Sequence, residues 1–332
     1  MRIKFIVFIS LILLIVSCQK QSISPEAQKW KDLSLDLTNI VDSVKYEVND
    51  LHTLSYLYYS KALLFGWNDP EVVQELKFLL SFIESSGFDL NREWDAFGDG
   101  TINNDSTIYT ITLTDHLGIV LVDAYKSRAI NDDILTEISN LLLNISPADS
   151  LNDGYCISYS DNINDIVGCV HNVNISYALF LQKMKELDFD IDSIDYFIDE
   201  IVKREKSAYL PNKFNFPYWD GNDRLTDQNH LCFQAWCMTQ IDDTESQSIS
   251  FEIINSILSN RDKSISSLIG HLRILPYATS IEDSIYSDLI NIKNATDTVY
   301  SDNSSYSFDN PRIVSQLAVW SAKYYRHKLV TQ

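Results

Sequence analysis

The stretch 51-LHTLSYLYYSKALLFGWNDPEVVQELKFLLSFIES-85 sets two helices of different kinds side by side. In its second half Val72, Val73, Leu76, Leu79, Leu80 and Ile83 recur at helical spacing and form a single apolar stripe, so this helix is wet on its other side. Asp69 stands as its N-cap and Pro70 at its first position, where a missing N–H costs nothing. The first half, 51–66, is apolar nearly all round, and a helix of that kind is covered on every side. Only the short turn at Trp67-Asn68 separates them, which makes the two antiparallel neighbours.

The same alternation runs through the chain. One-faced helices are expected over 131–145 (Ile134, Leu135, Ile138, Leu141, Leu142, Ile145), over 190–205 (Ile194, Phe197, Ile198, Ile201, Val202) and over 246–260 (Ile249, Ile253, Ile254, Ile257, Leu258). Segments 27–48 and 281–293 fit more loosely. Between them, 115–127, 167–184, 228–241 and 311–325 are apolar all round, and 265–279, holding His271 and Leu272, is a shorter and weaker sixth member. Two concentric helical layers require this order, the outer set wet and the inner set covered. Glycine and proline, at 9 and 7 residues, are too scarce for a turn-rich β protein. The expected fold is therefore all-α, a single domain over 27–332. The helix order resembles the α/α toroids, the six-hairpin class that includes many glycoside hydrolases and polysaccharide lyases. A solenoid of helical hairpins is the alternative, although the units here run from about 50 to 80 residues without a shared consensus.

The first residues carry Arg2 and Lys4, an apolar run from Phe5 to Val16, and then Cys18. Residues 1–17 read as a secretory signal, too short to span a membrane comfortably. The stretch IVSC resembles the lipobox of bacterial lipoproteins, which implies that Cys18 is lipidated and becomes the new N-terminus, with 18–26 as a tether. More than one acyl chain on Cys18 gives stable anchoring. Gln19 is not the aspartate associated with inner-membrane retention, so the expected location is the bacterial cell envelope, at the outer membrane. Loss of Arg2 and Lys4 with the leader leaves 24 basic against 46 acidic residues, a net of −22. Such a surface repels nucleic acid, which is excluded as a partner. In an oxidising compartment Cys156 and Cys169 are placed to bridge, whereas Cys232 and Cys237 point apart on one helix. No Cys/His cluster has zinc spacing, so no metal site is expected.

Connections from outer to inner helices are long, at 86–113, 146–165, 206–226 and 294–308, and the antiparallel order puts them at one end of the ring, where the inner helices begin. They carry aromatics beside carboxylates, the combination a sugar needs, since its C–H faces stack on rings while its hydroxyls seek charged acceptors. Trp94, Tyr155, Tyr218 and Trp219 are the candidate stacking residues. His116, His171 and His230 each stand near the start of an inner helix, where the macrodipole disfavours the imidazolium and leaves a neutral ring as base or hydrogen-bond partner. Asp165, Asp220 and Asp227 are the carboxylates expected to join His171 and His230 in catalysis, with Asn172, Asn229 and His116 touching substrate. Capping its helix is the competing role for Asp227. The leading expectation is a glycoside hydrolase-like site that uses the carboxylates; the alternative is a non-catalytic glycan- or protein-binding lipoprotein that uses the same surface without chemistry; a further alternative is a polysaccharide lyase that uses Asn172, Asn229, His171, His230 and a loop tyrosine such as Tyr218. No cofactor is expected. The stretch 95-DAFGDGTINNDS-106 places Asp95, Asp99 and Asn103 at calcium-loop offsets, but Phe97 and Ser106 replace two ligands and a polar turn is the better reading.

Overall fold

A computed structural model describes residues 23–48, 50–88, 107–149, 153–162, 168–294 and 310–331. Cys18, Trp94, Asp95, Asp99, Asn103 and Asp165 lie outside the described residues. Outer helices are α1 (Pro25–Val44), α3 (Pro70–Ser86), α5 (Asp133–Asn144), α7 (Ile194–Ala208), α9 (Thr244–Ser259) and α11 (Glu282–Asn294). Inner helices are α2 (Leu51–Phe65), α4 (Val120–Lys126) with the π-helix Thr112–Ile119 that leads into it, α6 (His171–Lys185), α8 (Gln228–Gln240), α10 (Ile265–Ile274) and α12 (Pro311–Val330).

Each inner element packs on the next, from α2 to the π-helix, α6, α8, α10 and α12, and α12 returns to α2. That closure distinguishes a toroid from a solenoid, whose first and last units never meet. Burial follows the two expected patterns. Leu51 to Ala62 of α2 are buried without a break, whereas α5 buries only Leu135, Ile138, Ser139 and Leu142. Each fully buried Leu or Ile contributes about 1.5–3 kcal/mol, so the double layer supplies most of the driving force for folding. Among the described residues no helix is long and apolar enough to cross a membrane.

Part of the acidity has a local purpose. Asp50, Asp69, Asp227 and Asp243 cap α2, α3, α8 and α9, each accepting a backbone N–H of the first turn. The fifth inner helix, α10, is shorter than its apolar run of 265–279; it stops at Ile274 and two 3-10 turns, Leu275–Tyr277 and Thr279–Ile281, carry the chain to α11. The connection 146–165 holds a small antiparallel pair, β1 (Pro147–Asp149) with β2 (Cys156–Ile157). Cys156 is bridged to Cys169, which ties this pair to the start of α6, and the Ile157 N–H donates to Asn174 Oδ1 at 3.2 Å. Cys232 and Cys237 are free and buried. Gly270 permits α10 to cross α8 closely, since a Cβ there would stand 2.9 Å from Asn229 Cα.

Candidate functional site

Asp227 and His230 occupy the first turn of α8, at the end where inner helices begin. Their spacing of three residues puts both side chains on one face. Asp227 Oδ1 accepts the His230 N–H at 3.2 Å as the helix cap, and Oδ2 meets His230 Nδ1 at 2.6 Å, so one carboxylate both caps the helix and holds the imidazole. Burial alone would raise the Asp227 pKa, but the hydrogen bond and charge of His230 outweigh it and bring it to about 2. Both side chains keep solvent contact, 40% for Asp227 and 26% for His230. Tyr218 meets the His230 ring edge-on at 5.3 Å, Trp219 meets Tyr218 at 5.4 Å, and the Arg224 guanidinium lies 5.2 Å from the Tyr218 ring. Short bridges hold this loop, Pro217 to Leu225 and Trp219 to Val170.

His171 has entirely different surroundings. It is fully buried as the first residue of α6, with Nδ1 3.3 Å from Glu205 and Nε2 3.2 Å from Asp220. Asn174 Nδ2 donates to Glu205 at 2.9 Å, and Arg204 pairs with Asp220. Burial would push the imidazole toward neutrality, but Glu205 and Asp220 prevail and raise its pKa to about 9. The neutral ring expected from the helix start is therefore corrected: two carboxylates outweigh a dipole contribution of about 0.3–1 kcal/mol. Asp220 is held low, burial opposing and His171 and Arg204 prevailing. Cys169, His171 and Glu205 bring ligand-type atoms together, but the Cys169 sulfur is committed to the disulfide and this group is no metal centre.

His116 has a third environment. It stacks on His52 with ring centroids 3.6 Å apart, its Nε2 is 3.9 Å from Asp115 Oδ2, and burial together with the charges of Arg312 and Arg273 pushes its pKa well down. Three histidines at one end of the ring thus sit in three different surroundings. Around His116 lies a polar cluster on the toroid axis that sequence reasoning missed. Tyr56 donates to Asp115 Oδ2 at 2.9 Å, Arg273 Nη2 reaches the same oxygen at 3.4 Å, and Arg312 Nε donates to His52 Nδ1 at 2.8 Å. Asp115 and His116 belong to the π-helix, a widened turn often found at functional sites.

Among the other sequence candidates, Asn172 and Asn229 are buried, and Asn229 Oδ1 has no hydrogen-bond partner among the described residues. Tyr155 packs edge-on against Phe197 of α7 at 5.0 Å and gives its carbonyl to Asn174, so it pins its loop to the outer layer.

No sequence family profile matches the chain, and no curated protein matches it. A solved structure does: the α-1,6-mannanase GH76A of Salegentibacter sp. HEL1_6, an inactive variant with two consecutive aspartates changed to alanine, in complex with α-1,6-mannotetrose. The TM-score is 0.55 at 11% identity, over 89% of this chain and 98% of that one. The fold is an α/α toroid of the six-hairpin glycosidase type. At this identity the likeness establishes architecture alone, and the toroid's chemistry has to be argued from its own residues.

Proposed function

We propose that this protein is a cell-envelope lipoprotein, anchored through Cys18 at the outer membrane, that engages a glycan at the toroid end where the inner helices begin. The observation that carries the reading is the half-exposed group of Tyr218, Trp219, Asp227 and His230, in which flat rings adjoin an ionised, geometrically fixed carboxylate. Rings of this kind cover a sugar face and the carboxylate and imidazole take its hydroxyls. The mannanase with its bound mannotetrose makes a glycan a reasonable partner for the same architecture.

Binding fits the described residues better than hydrolysis. Hydrolysis needs a second carboxyl that stays protonated to serve as acid. Asp220 and Asp227 are both held low, and Asp220 is engaged by Arg204 and His171. Consecutive aspartates occur in this chain as Asp132-Asp133 and Asp242-Asp243, and both pairs stand at the start of outer helices, away from this end. A lyase would lack His171 as base, because that ring is held as an imidazolium between two carboxylates, and would be left with His230 for that role. Hydrolysis is the second reading, favoured by the likeness to the mannanase; its acid would come from a residue such as Asp165, Asp95 or Asp99.

The lipid-free domain should therefore bind at least one class of glycan in a screen that includes α-1,6-manno-oligosaccharides, without releasing new reducing ends. New reducing ends would establish the hydrolase, and failure to bind any glycan would remove both readings. Anchoring is tested separately: Cys18→Ser should be exported but appear in the soluble fraction, and a variant that still sediments with membranes contradicts the lipid anchor.

A further inference from the structure

Deeper along the toroid axis, three nitrogen donors gather at one indole and have no acceptor among the described residues. Trp320 Nε1 and Arg273 Nε are buried without a hydrogen-bond partner among the described residues. The Arg273 guanidinium lies 4.3 Å from the Phe233 ring and 4.9 Å from the Trp320 ring, and its bond to Asp115, at 3.4 Å, is long. The Lys323 ammonium faces three rings, Trp320 at 4.3 Å, Tyr59 at 4.7 Å and Trp236 at 5.2 Å, and no carboxylate lies within ion-pair distance of it among the described residues. The two nearby carboxylates are already engaged, Asp115 by Tyr56 and Asp123 by Tyr59.

Such an arrangement is costly as it stands. A buried donor without an acceptor forfeits about 1–3 kcal/mol, and the half-buried Lys323 ammonium has lost part of its water shell. Cation–π contact offsets part of the charge but offers no oxygen for the N–H groups. Burial accordingly depresses the Lys323 pKa, with Asp123 and Asp115 only partly opposing it. The missing component is an acceptor bearing negative charge.

We propose that Arg273, Trp320 and Lys323 form a binding site for a small oxyanion, a carboxylate, phosphate or sulfate group, present either free or as the acidic group of a sugar. The site is separate from the glycan surface at Tyr218 and Asp227: Lys323 stands twelve residues beyond Pro311, about 18 Å along α12. Solvent reaches this level, since Lys323, Asp123 and Trp236 are each partly exposed. The proposal does not depend on the glycan reading.

Trp236 and Trp320 report the site directly. Tryptophan fluorescence of the lipid-free domain, titrated at constant ionic strength with glucuronate, phosphate and sulfate, and with glucose as the neutral control, should change saturably with an oxyanion and not with glucose. Lys323→Met keeps the length of the side chain and removes the charge. It should fold, melt no lower than the wild type in the absence of anions, and bind at least about tenfold more weakly, the loss of one charge-assisted hydrogen bond. Preference for glucuronate assigns the site to an acidic sugar; preference for phosphate or sulfate assigns it to a free ion. A domain that responds to none of the three, or a Lys323→Met protein that binds like the wild type, overturns the proposal.

Discussion

Replacing His171 with leucine should destabilise the domain by about 3–5 kcal/mol, the cost of removing one partner from a buried ion pair. The change leaves Glu205, 1% exposed, with the Asn174 amide as its side-chain hydrogen-bond partner among the described residues, and leaves Asp220 with Arg204. The wild type should also show a pH signature that the variant lacks. The His171 pKa is raised to about 9 from its ordinary value of 6.5, burial opposing the shift and Glu205 and Asp220 prevailing. A group whose folded pKa is raised contributes stability that is fully present below the unfolded value and is lost as pH rises through the folded one. Melting temperature should thus fall from about pH 7 to beyond pH 9 in the wild type, and the His171→Leu protein should melt lower and lose that slope. Thermal melts across this range decide it; a variant as stable as the wild type, with the same pH profile, would mean that His171 is not the imidazolium at the centre of this network.

Gly118→Ala carries the second large effect. Leu113 lies five residues before Gly118, and the π-helical turn brings its carbonyl oxygen over the glycine, so an added Cβ would collide with that oxygen and stand 2.9 Å from the Phe180 ring. Overpacking costs about 1–3 kcal/mol when side chains can yield, and a backbone oxygen cannot yield without unwinding the turn. A loss at or above the upper end of that range is expected in urea denaturation. Because the same turn carries Asp115 and His116, the near-ultraviolet circular dichroism of the axial aromatics should change with it. If Gly118→Ala were as stable as the wild type, 112–119 would be an ordinary α-helix and the axial placement of Asp115 would need revision.

The two helix types were legible because each leaves a period in the sequence: Leu76, Leu79 and Ile83 on one face of α3, against unbroken burial along α2. The order of the two types leaves a closed ring and a solenoid both open, and closure shows only in the packing of α12 on α2, whereas the cap at Asp227 follows from its residue type and place. The axial cluster was not legible. Asp115, Arg273 and Tyr56 sit singly inside helices that read as apolar, and the contact between Asp115 and Arg273 joins residues 158 apart in the chain, a separation that no local pattern announces. His171 was legible as a helix-start histidine, but its charge depends on Glu205 and Asp220, which arrive from other parts of the chain. Its environment could not be read from its own neighbours.

The central claim, that Tyr218, Trp219, Asp227 and His230 form the glycan surface, is tested most directly by calorimetric titration of the best ligand from the glycan screen into the wild type, Trp219→Ala and Asp227→Asn. Asparagine caps a helix nearly as well as aspartate, so Asp227→Asn should keep its fold while losing the charge that fixes His230. Both variants should retain the wild-type far-ultraviolet spectrum and bind at least about tenfold more weakly, as expected when a stacking ring or a charge-assisted hydrogen bond is removed. Undiminished affinity in both variants would place the glycan elsewhere on the toroid and contradict the account.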